Sequence, residues 1–141
     1  MSNEHIVKSF AQELQRLSNQ ITQMGGVADA QVEAAVQALV RRDTTIAAQV
    51  IQSDLRIDTY EREIDNETLR LLALRQPMAS DLREIVSALK IAADIERIGD
   101  HATNIAETIH FLVIGHPLTT ERQKGDESSF AVVTPQPELQ G

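Results

Sequence analysis

The clearest structural signal in the chain is IAADIERIGDHATNIAETIHFL, residues 91–112. Apolar residues recur in it at steps of three and four, which is the spacing of one face of an α-helix. They are Ile91, Ile95, Ile98, Ala102, Ile105, Ile109 and Leu112. We therefore predict one long amphipathic helix whose isoleucine seam faces inward. It is predicted to end at Gly115, because a glycine followed shortly by Pro117 is a typical helix stop.

Two more helices are predicted upstream. Residues 7–39 repeat the spacing of three and four, and the pattern passes through Gly25-Gly26 without changing face. We predict a close helix contact or a weak point there rather than a loop. Residues 41–44, RRDT, break the pattern, and Asp43 is a good N-cap for the helix that follows. Residues 75–77, RQP, end that second helix, because proline disfavours helical geometry in the residue before it and suits the first turn of a new helix.

These helices predict an all-α fold. Short connections between long amphipathic helices make neighbours antiparallel, so we predict an antiparallel up-down three-helix bundle over residues 4–116. Its helices cover about 4–40, 44–75 and 77–115. Residues 117–141 have no helical period and are rich in glycine, serine and proline, which predicts a flexible, disordered C-terminal tail.

Composition narrows the classes of function. A chain of 141 residues with 42% hydrophobic residues fits one domain with a substantial core. The net charge of -8 argues against general nucleic-acid binding. Cysteine is absent, so any metal must be held by oxygen or imidazole ligands. The N-terminus lacks a basic region followed by an apolar block, and no apolar run is long enough to span a bilayer, so we expect a cytoplasmic protein without membrane insertion.

Two acidic stripes follow from the helical spacing. On the third helix, Glu96, Asp100 and Asn104 are four residues apart on the far side of the isoleucine seam, so we predict that they face outward. The second helix carries an acidic stripe along one flank of its apolar face. Its members are Asp54, Asp58, Glu61 and Asp65.

The two stripes are expected at one level of the bundle. In an antiparallel hairpin that turns near Gln76, residues lie level when their numbers sum to about 152. Asp54 and Asp58 are therefore level with Glu96 and Asp100. The spacing leaves open whether the two faces also converge.

Convergence would create an oxygen-rich metal site at Glu96, Asp100, Asp54, Asp58 and Asn104. Such a site suits a divalent or trivalent cation such as iron, manganese, zinc, magnesium or calcium. The alternative is that the acidic stripes are ordinary solvated surface, which is the usual role of such a stripe. In that case nearby basic residues could neutralise the carboxylates without a metal; these are Lys90 and Arg97.

Catalysis has little support in the sequence. Glu107 and His110 have the Glu-x-x-His spacing of carboxylate-bridged di-metal bundles, but such sites need a second copy of the motif, which is absent. A glycine-rich phosphate loop is absent, and no nucleophile has a plausible base. We therefore expect a protein that is not an enzyme. The alternatives are a di-metal oxidase-like bundle and a purely structural helical interaction module.

Two segments closely resemble the PhoU family: LLALRQPMASDLR, residues 71–83, and IERIGDHATNIAE, residues 95–107. The resemblance extends over roughly residues 4–117. It implies a three-helix repeat in which a Glu/Asp-x-x-x-Asp motif, here Glu96 to Asp100, helps to hold metal ions on the bundle surface.

The resemblance also implies a function in phosphate homeostasis. Members of the family act as negative regulators, as adaptors between the Pst phosphate ABC transporter and a phosphate-sensing histidine kinase, and no substrate turnover is implied. They usually carry two three-helix repeats in tandem, whereas this chain has room for one. A homodimer that rebuilds the six-helix arrangement is therefore a hypothesis for this chain.

Overall fold

A computed structural model describes residues 3–116 of the chain. It consists of three helices, α1 (Asn3–Arg41), α2 (Thr44–Arg75) and α3 (Ala79–Ile114), and each packs against both others. The all-α three-helix bundle predicted from the sequence is confirmed. The predicted disordered tail, residues 117–141, lies outside the described residues.

The α1–α2 connection is a tight turn capped by one carboxylate. Arg42 has a positive φ of 54°, which reverses the chain direction. Asp43 then accepts hydrogen bonds from the backbone N–H groups of Thr45 and Ile46, at 2.9 and 3.1 Å. Two N–H groups at the start of α2 that have no partner inside the helix are thereby satisfied. The predicted N-cap role of Asp43 is confirmed.

Helix α3 begins two residues later than its sequence pattern predicts. Gln76 adopts the left-handed conformation, with φ 42° and ψ 63°, and turns the chain out of α2. Met78 is the N-cap of α3, and its carbonyl accepts a hydrogen bond from the Leu82 N–H at 2.8 Å. Pro77 therefore belongs to the connection and not to the first turn of α3.

The predicted isoleucine seam of α3 is wrong for four of its seven members, because Ile91, Ile98, Ile105 and Leu112 are 40–57% exposed. The inward face of α3 is built mainly from small residues. Its buried members are Ile85, Ala88, Ala92, Gly99, Ala102, Thr103, Ala106 and Ile109. Small side chains let three helix backbones approach closely, so the bundle selects this face over the bulkier edge beside it.

The core consists of two buried apolar clusters along the bundle axis. The first joins Leu14, Leu17, Met24 and Ala28 of α1 to Ile57, Ile64, Leu71, Ile85, Ala88 and Ala92. The second joins Ala35 and Ala38 of α1 to Ala47, Val50, Ile51, Ala102, Ala106 and Ile109. On α1 and α2, the segment between the two clusters carries one buried polar residue, Gln31 and Asp54 respectively.

Candidate metal site

A buried polar layer separates the two apolar clusters. Its residues are Gln31 of α1 and Asp54 of α2, with 3% and 2% of their surface exposed, and the buried Gly99 of α3, where a Cβ atom would lie 3.2 Å from Gln31 Oε1. The Thr103 hydroxyl donates to the Gly99 carbonyl at 3.0 Å within α3. A carboxylate as deeply buried as that of Asp54 is costly unless its charge is compensated.

Three carboxylates converge at the edge of this layer. Asp54, Asp58 and Asp100 each offer an oxygen, and these oxygens all lie within 4.8 Å of one another. Asp54 is buried, whereas Asp58 and Asp100 are half-buried, so the group lies between the core and the bundle surface. The structure thus brings together acids from both stripes, which the sequence could only place at one level.

The local sequence explains why α2 and α3 meet here. Asp54 and Asp58 are one helical turn apart, and the side chain of Ile57 lies between α2 and α3. A Cβ atom at Gly99 would lie only 2.6 Å from Ile57 Cδ1, so glycine is what permits this approach. The next residue, Asp100, is thereby brought to the two aspartates of α2.

Glu96 is not a member of this group of three carboxylates. Glu96 is half-buried one turn before Asp100, and Asn104 is exposed one turn after it. The predicted outward orientation of Asp100 is wrong, because its carboxylate faces α2. The cause is the rotation of α3 that turns its small residues inward and its acidic stripe towards α2.

Electrostatics favour a cation at this position. Two unit charges of the same sign 4.8 Å apart repel by about 3 kcal/mol at an effective dielectric constant of about 20, so a cation held among these oxygens would be favourable. A bound cation would attract all three carboxylates and so offset the repulsion among them. Carboxylate oxygens are hard ligands that suit magnesium, calcium, manganese and iron, and three protein ligands leave coordination positions for water or an anion. The donor set therefore fits a hard divalent or trivalent ion.

The Glu-x-x-His motif, Glu107 and His110, is not part of a group of metal-ligand side chains in the described residues. Among residues 3–116, the three aspartates are the group of acidic or histidine side chains whose geometry could hold a metal, and neither Glu107 nor His110 belongs to it. The His110 ring instead lies edge-on to that of His116, with 6.2 Å between the ring centroids.

Sequence reasoning missed two members of the polar layer. On α1 the apolar Val32 is 37% exposed, whereas the neighbouring Gln31 is 3% exposed. Neither amide atom of Gln31 has a hydrogen-bond partner among the described residues. Gln31 falls within the spacing of three and four residues that runs through Met24, Ala28 and Ala35, so it lies on the same face of α1. That spacing was the signal in the sequence that Gln31 is buried. Gly99, a residue that weakens a helix interior, was the corresponding signal on α3.

The fold and the site define a class of protein: a three-helix bundle with a candidate cation site between two antiparallel helices. The family model of the PhoU domain matches residues 21–109. The chain belongs to the PhoU family.

Several curated relatives are similar over most of the chain, and each is described as a phosphate-specific transport system accessory protein PhoU homolog. The relative from Caulobacter vibrioides (strain NA1000 / CB15N) is 46% identical over 116 residues, which cover 82% of this chain and 50% of the relative. That from Xylella fastidiosa (strain Temecula1) is 52% identical over 105 residues, with 74% and 43% covered. That from Rhizobium meliloti (strain 1021) is 45% identical over 109 residues, with 77% and 46% covered.

This chain therefore spans about half the length of the relatives it matches. None of the helices in residues 3–116 combines the length and the apolar character that a membrane crossing requires.

Proposed function

We propose that this protein is an accessory regulator of phosphate uptake that lowers both uptake and the phosphate-starvation response when phosphate is plentiful. The observation that carries the proposal is the PhoU domain match over residues 21–109, together with relatives described as accessory to a phosphate-specific transport system. Accessory proteins act by binding, so the role requires no substrate turnover.

The proposed partners are the ATPase of the Pst transporter, a phosphate-sensing histidine kinase and a second copy of this chain, all met in the cytoplasm. An adaptor needs a rigid body that presents surfaces to more than one partner. Long helices in mutual contact along two buried clusters supply such a body.

The proposed metal ligands are Asp54, Asp58 and Asp100, with Glu96 and Asn104 as neighbours that could add an oxygen. A hard cation held there would cross-link α2 to α3 and offset the repulsion among the aspartates. The support is the clustering of three oxygens within 4.8 Å around a buried carboxylate. The role proposed for the ion is to stabilise the α2–α3 pair, with no chemical step assigned to it.

A pull-down tests the accessory role. Tagged full-length chain is expressed in phosphate-replete and phosphate-starved cells, and the retained proteins are identified by mass spectrometry. We expect components of a phosphate transporter and a histidine kinase to be retained, more strongly from replete cells. A matched bait with the same tag on an unrelated three-helix protein sets the background. Absence of both components above that background would contradict the proposal.

A further inference from the structure

Helices α1 and α2 enclose an open groove between them, which is separate from the aspartate group between α2 and α3. We call it the α1–α2 groove. Its volume is about 570 Å³, within the range of about 300–1,000 Å³ that sites for small molecules occupy. The lining residues that matter here are Gln23, Ala30 and Gln31 of α1 and Ser53, Arg56 and Tyr60 of α2.

The floor of the groove is an amide without hydrogen-bond partners. Gln31 lines the groove, although only 3% of its surface is exposed. Within residues 3–116, neither its Oε1 nor its Nε2 atom has a partner. An aliphatic side chain here would extend the apolar clusters, whereas an unpaired buried amide is costly because it has lost its hydrogen bonds to water. Gln31 therefore offers a donor and an acceptor, side by side, to a molecule that enters the groove.

Beside this amide, α2 presents a cation and a hydroxyl group. Arg56 and Tyr60 are one helical turn apart, so their side chains lie on the same face of α2. Arg56 is exposed at the rim, and the Tyr60 hydroxyl donates to Gln23 Oε1 at 3.5 Å across the groove. In the part of the chain that the structure describes, no acidic residue lines the groove, although the net charge is -8. A guanidinium in such a setting suits a phosphate or a carboxylate, which it can bind with two hydrogen bonds.

The aspartate group lies on the other side of α2 and does not oppose an anion in the groove. Asp54 and Asp58 face Asp100 of α3. Arg56 is two residues from each of them, which is about 200° around a helix of 3.6 residues per turn. The guanidinium and the carboxylates therefore lie on opposite sides of the helix.

The amide and the anion-binding pair are a short distance apart along the groove. Since α1 and α2 are antiparallel about the turn at Arg42, their residues lie level when their numbers sum to about 84. The contact between Tyr60 and Gln23 fits this rule. Gln31 is then level with Ser53, and the midpoint of Arg56 and Tyr60 lies about 7–8 Å further along at 1.5 Å per residue.

We propose that the α1–α2 groove binds an adenine nucleotide, with the base on Gln31 and the phosphate between Arg56 and Tyr60. Adenine presents the N7 acceptor beside the N6 amino donor, which is the complement of a glutamine amide. Guanine presents two acceptors on the same edge, so Gln31 Oε1 would stay unpaired against it. A ribose between base and phosphate suits the separation of the two subsites. Ala30, next to Gln31, leaves room for a flat ring.

Isothermal titration calorimetry with AMP tests the proposal on the isolated full-length chain, with no transporter present. We expect one AMP to bind per chain, with the same affinity with and without EDTA. The comparison with EDTA excludes a nucleotide that is held through a metal ion at the aspartates. GMP and inorganic phosphate should each bind at least about 10-fold more weakly than AMP, because one lacks the complementary edge and the other lacks the base.

Two variants test the two subsites separately. Gln31→Met keeps the side-chain length but removes both polar atoms, and Arg56→Gln removes the cation. Each should weaken AMP binding by about 10-fold or more, and Gln31→Met should also reduce the preference for AMP over GMP. The matched controls are Gln52→Met and Arg62→Gln, which change exposed residues of α2 outside the groove and should bind AMP as wild type does.

Circular dichroism checks that each variant is folded, and the exposed position of Arg56 keeps the test valid if Gln31→Met unfolds. The inference would be overturned by a folded wild type that does not bind AMP, by equal affinity for AMP and GMP, or by tight binding of inorganic phosphate alone. Undiminished AMP binding by folded Gln31→Met or Arg56→Gln would overturn it too. A chain that retains transporter and kinase components but binds no AMP would overturn this inference alone. A chain that binds AMP and retains neither component would contradict the accessory role alone.

Discussion

At the scale of single residues, Gly99 decides how closely α3 approaches α2. Glycine in a helix interior costs about 1 kcal/mol relative to alanine, so its presence there calls for a compensating contact. A Cβ atom at this position would lie 2.6 Å from Ile57 Cδ1 and 3.2 Å from Gln31 Oε1. Both neighbours are buried, so neither can move without disturbing the core. The missing side chain thereby sets the distance between Asp100 and the aspartates of α2.

We expect Gly99→Ala to lower the free energy of unfolding by about 1–3 kcal/mol, because overpacking outweighs the gain in helix propensity. Urea denaturation followed by circular dichroism measures it. The matched control is Gly26→Ala, since a Cβ atom at Gly26 would meet nothing within 4 Å. That change should be neutral or stabilise by up to about 1 kcal/mol. Equal stabilisation by both substitutions would show that α3 does not need the glycine.

The aspartate group supplies a second prediction at this scale. Asp54→Asn with Asp100→Asn should abolish the increase in melting temperature that Mn²⁺ produces in wild type, because two of three oxygen charges are lost. In EDTA the variant should melt at the same temperature as it does with Mn²⁺, because it has lost the site for the ion. Thermal denaturation with and without Mn²⁺ measures both effects.

Asp94→Asn is the control for that experiment, because Asp94 is 70% exposed and pairs with Arg97 on the outer surface. It should keep the response to Mn²⁺. A double variant that still responds as strongly as wild type would remove these aspartates from the site.

At the scale of helices, the spacing of apolar residues along α3 was predictable from the sequence, but the face of α3 that is buried was not. Steps of three and four along α3 are a property of its sequence alone. The inward face depends on the other two helices, which accept Ala92, Gly99, Ala102 and Ala106 at short distance and leave the bulkier Ile98 at the edge. An assignment by hydrophobicity alone therefore rotated α3 and turned Asp100 outward. The level of the aspartates was predictable, since it depends only on helical rise and on the position of the connection.

Helix ends depend on residues close together in the sequence, so the sequence predicts them well. Asp43→Ala should lower the free energy of unfolding by about 1 kcal/mol, because the N–H groups of Thr45 and Ile46 lose their acceptor. Asp43→Asn keeps an acceptor oxygen in place and should lower the free energy of unfolding by only a few tenths of about 1 kcal/mol. Urea denaturation of the two variants side by side separates capping from charge, and equal losses would argue that the carboxylate acts through its charge alone.

At the scale of the whole molecule, two apolar clusters and one polar layer organise the bundle. The sequence indicates the number and order of the helices, because Asp43 and Pro77 mark their connections. It does not indicate the division of the core, because the layer forms only when Gln31, Asp54 and Gly99 meet from three helices. A uniformly apolar core would tolerate rotation of α3. A layer in which Gly99 lies against Ile57 and Gln31 favours one rotation of α3, the rotation that brings Asp100 to Asp54 and Asp58.

The end of the bundle away from the α1–α2 turn is held by ion pairs that join α1 to α2. Arg75 donates to both carboxylate oxygens of Glu13, at 2.9 and 3.3 Å, and Arg70 bridges Glu13 and Glu67. The hydrogen bond from Arg75 is the main reason that the pKa of the Glu13 carboxyl lies below its usual value of 4.5. A lowered pKa in the folded state means that the ionised form stabilises the fold. That contribution is fully present above the usual pKa and is lost as pH falls through the folded-state pKa.

We therefore expect Glu13→Gln to lower the free energy of unfolding at pH 7 by about 0.5–1 kcal/mol, a range suited to a partly exposed pair. The difference between wild type and variant should shrink as the pH falls below 4.5. Urea denaturation at pH 7 and pH 3 measures it, at low salt because screening weakens such pairs. Glu33→Gln on the exposed face of α1 is the control and should show no difference at either pH. A loss for Glu13→Gln that is equally large at both pH values would assign the effect to packing, since a carboxylate protonated in both folded and unfolded states can no longer discriminate between them.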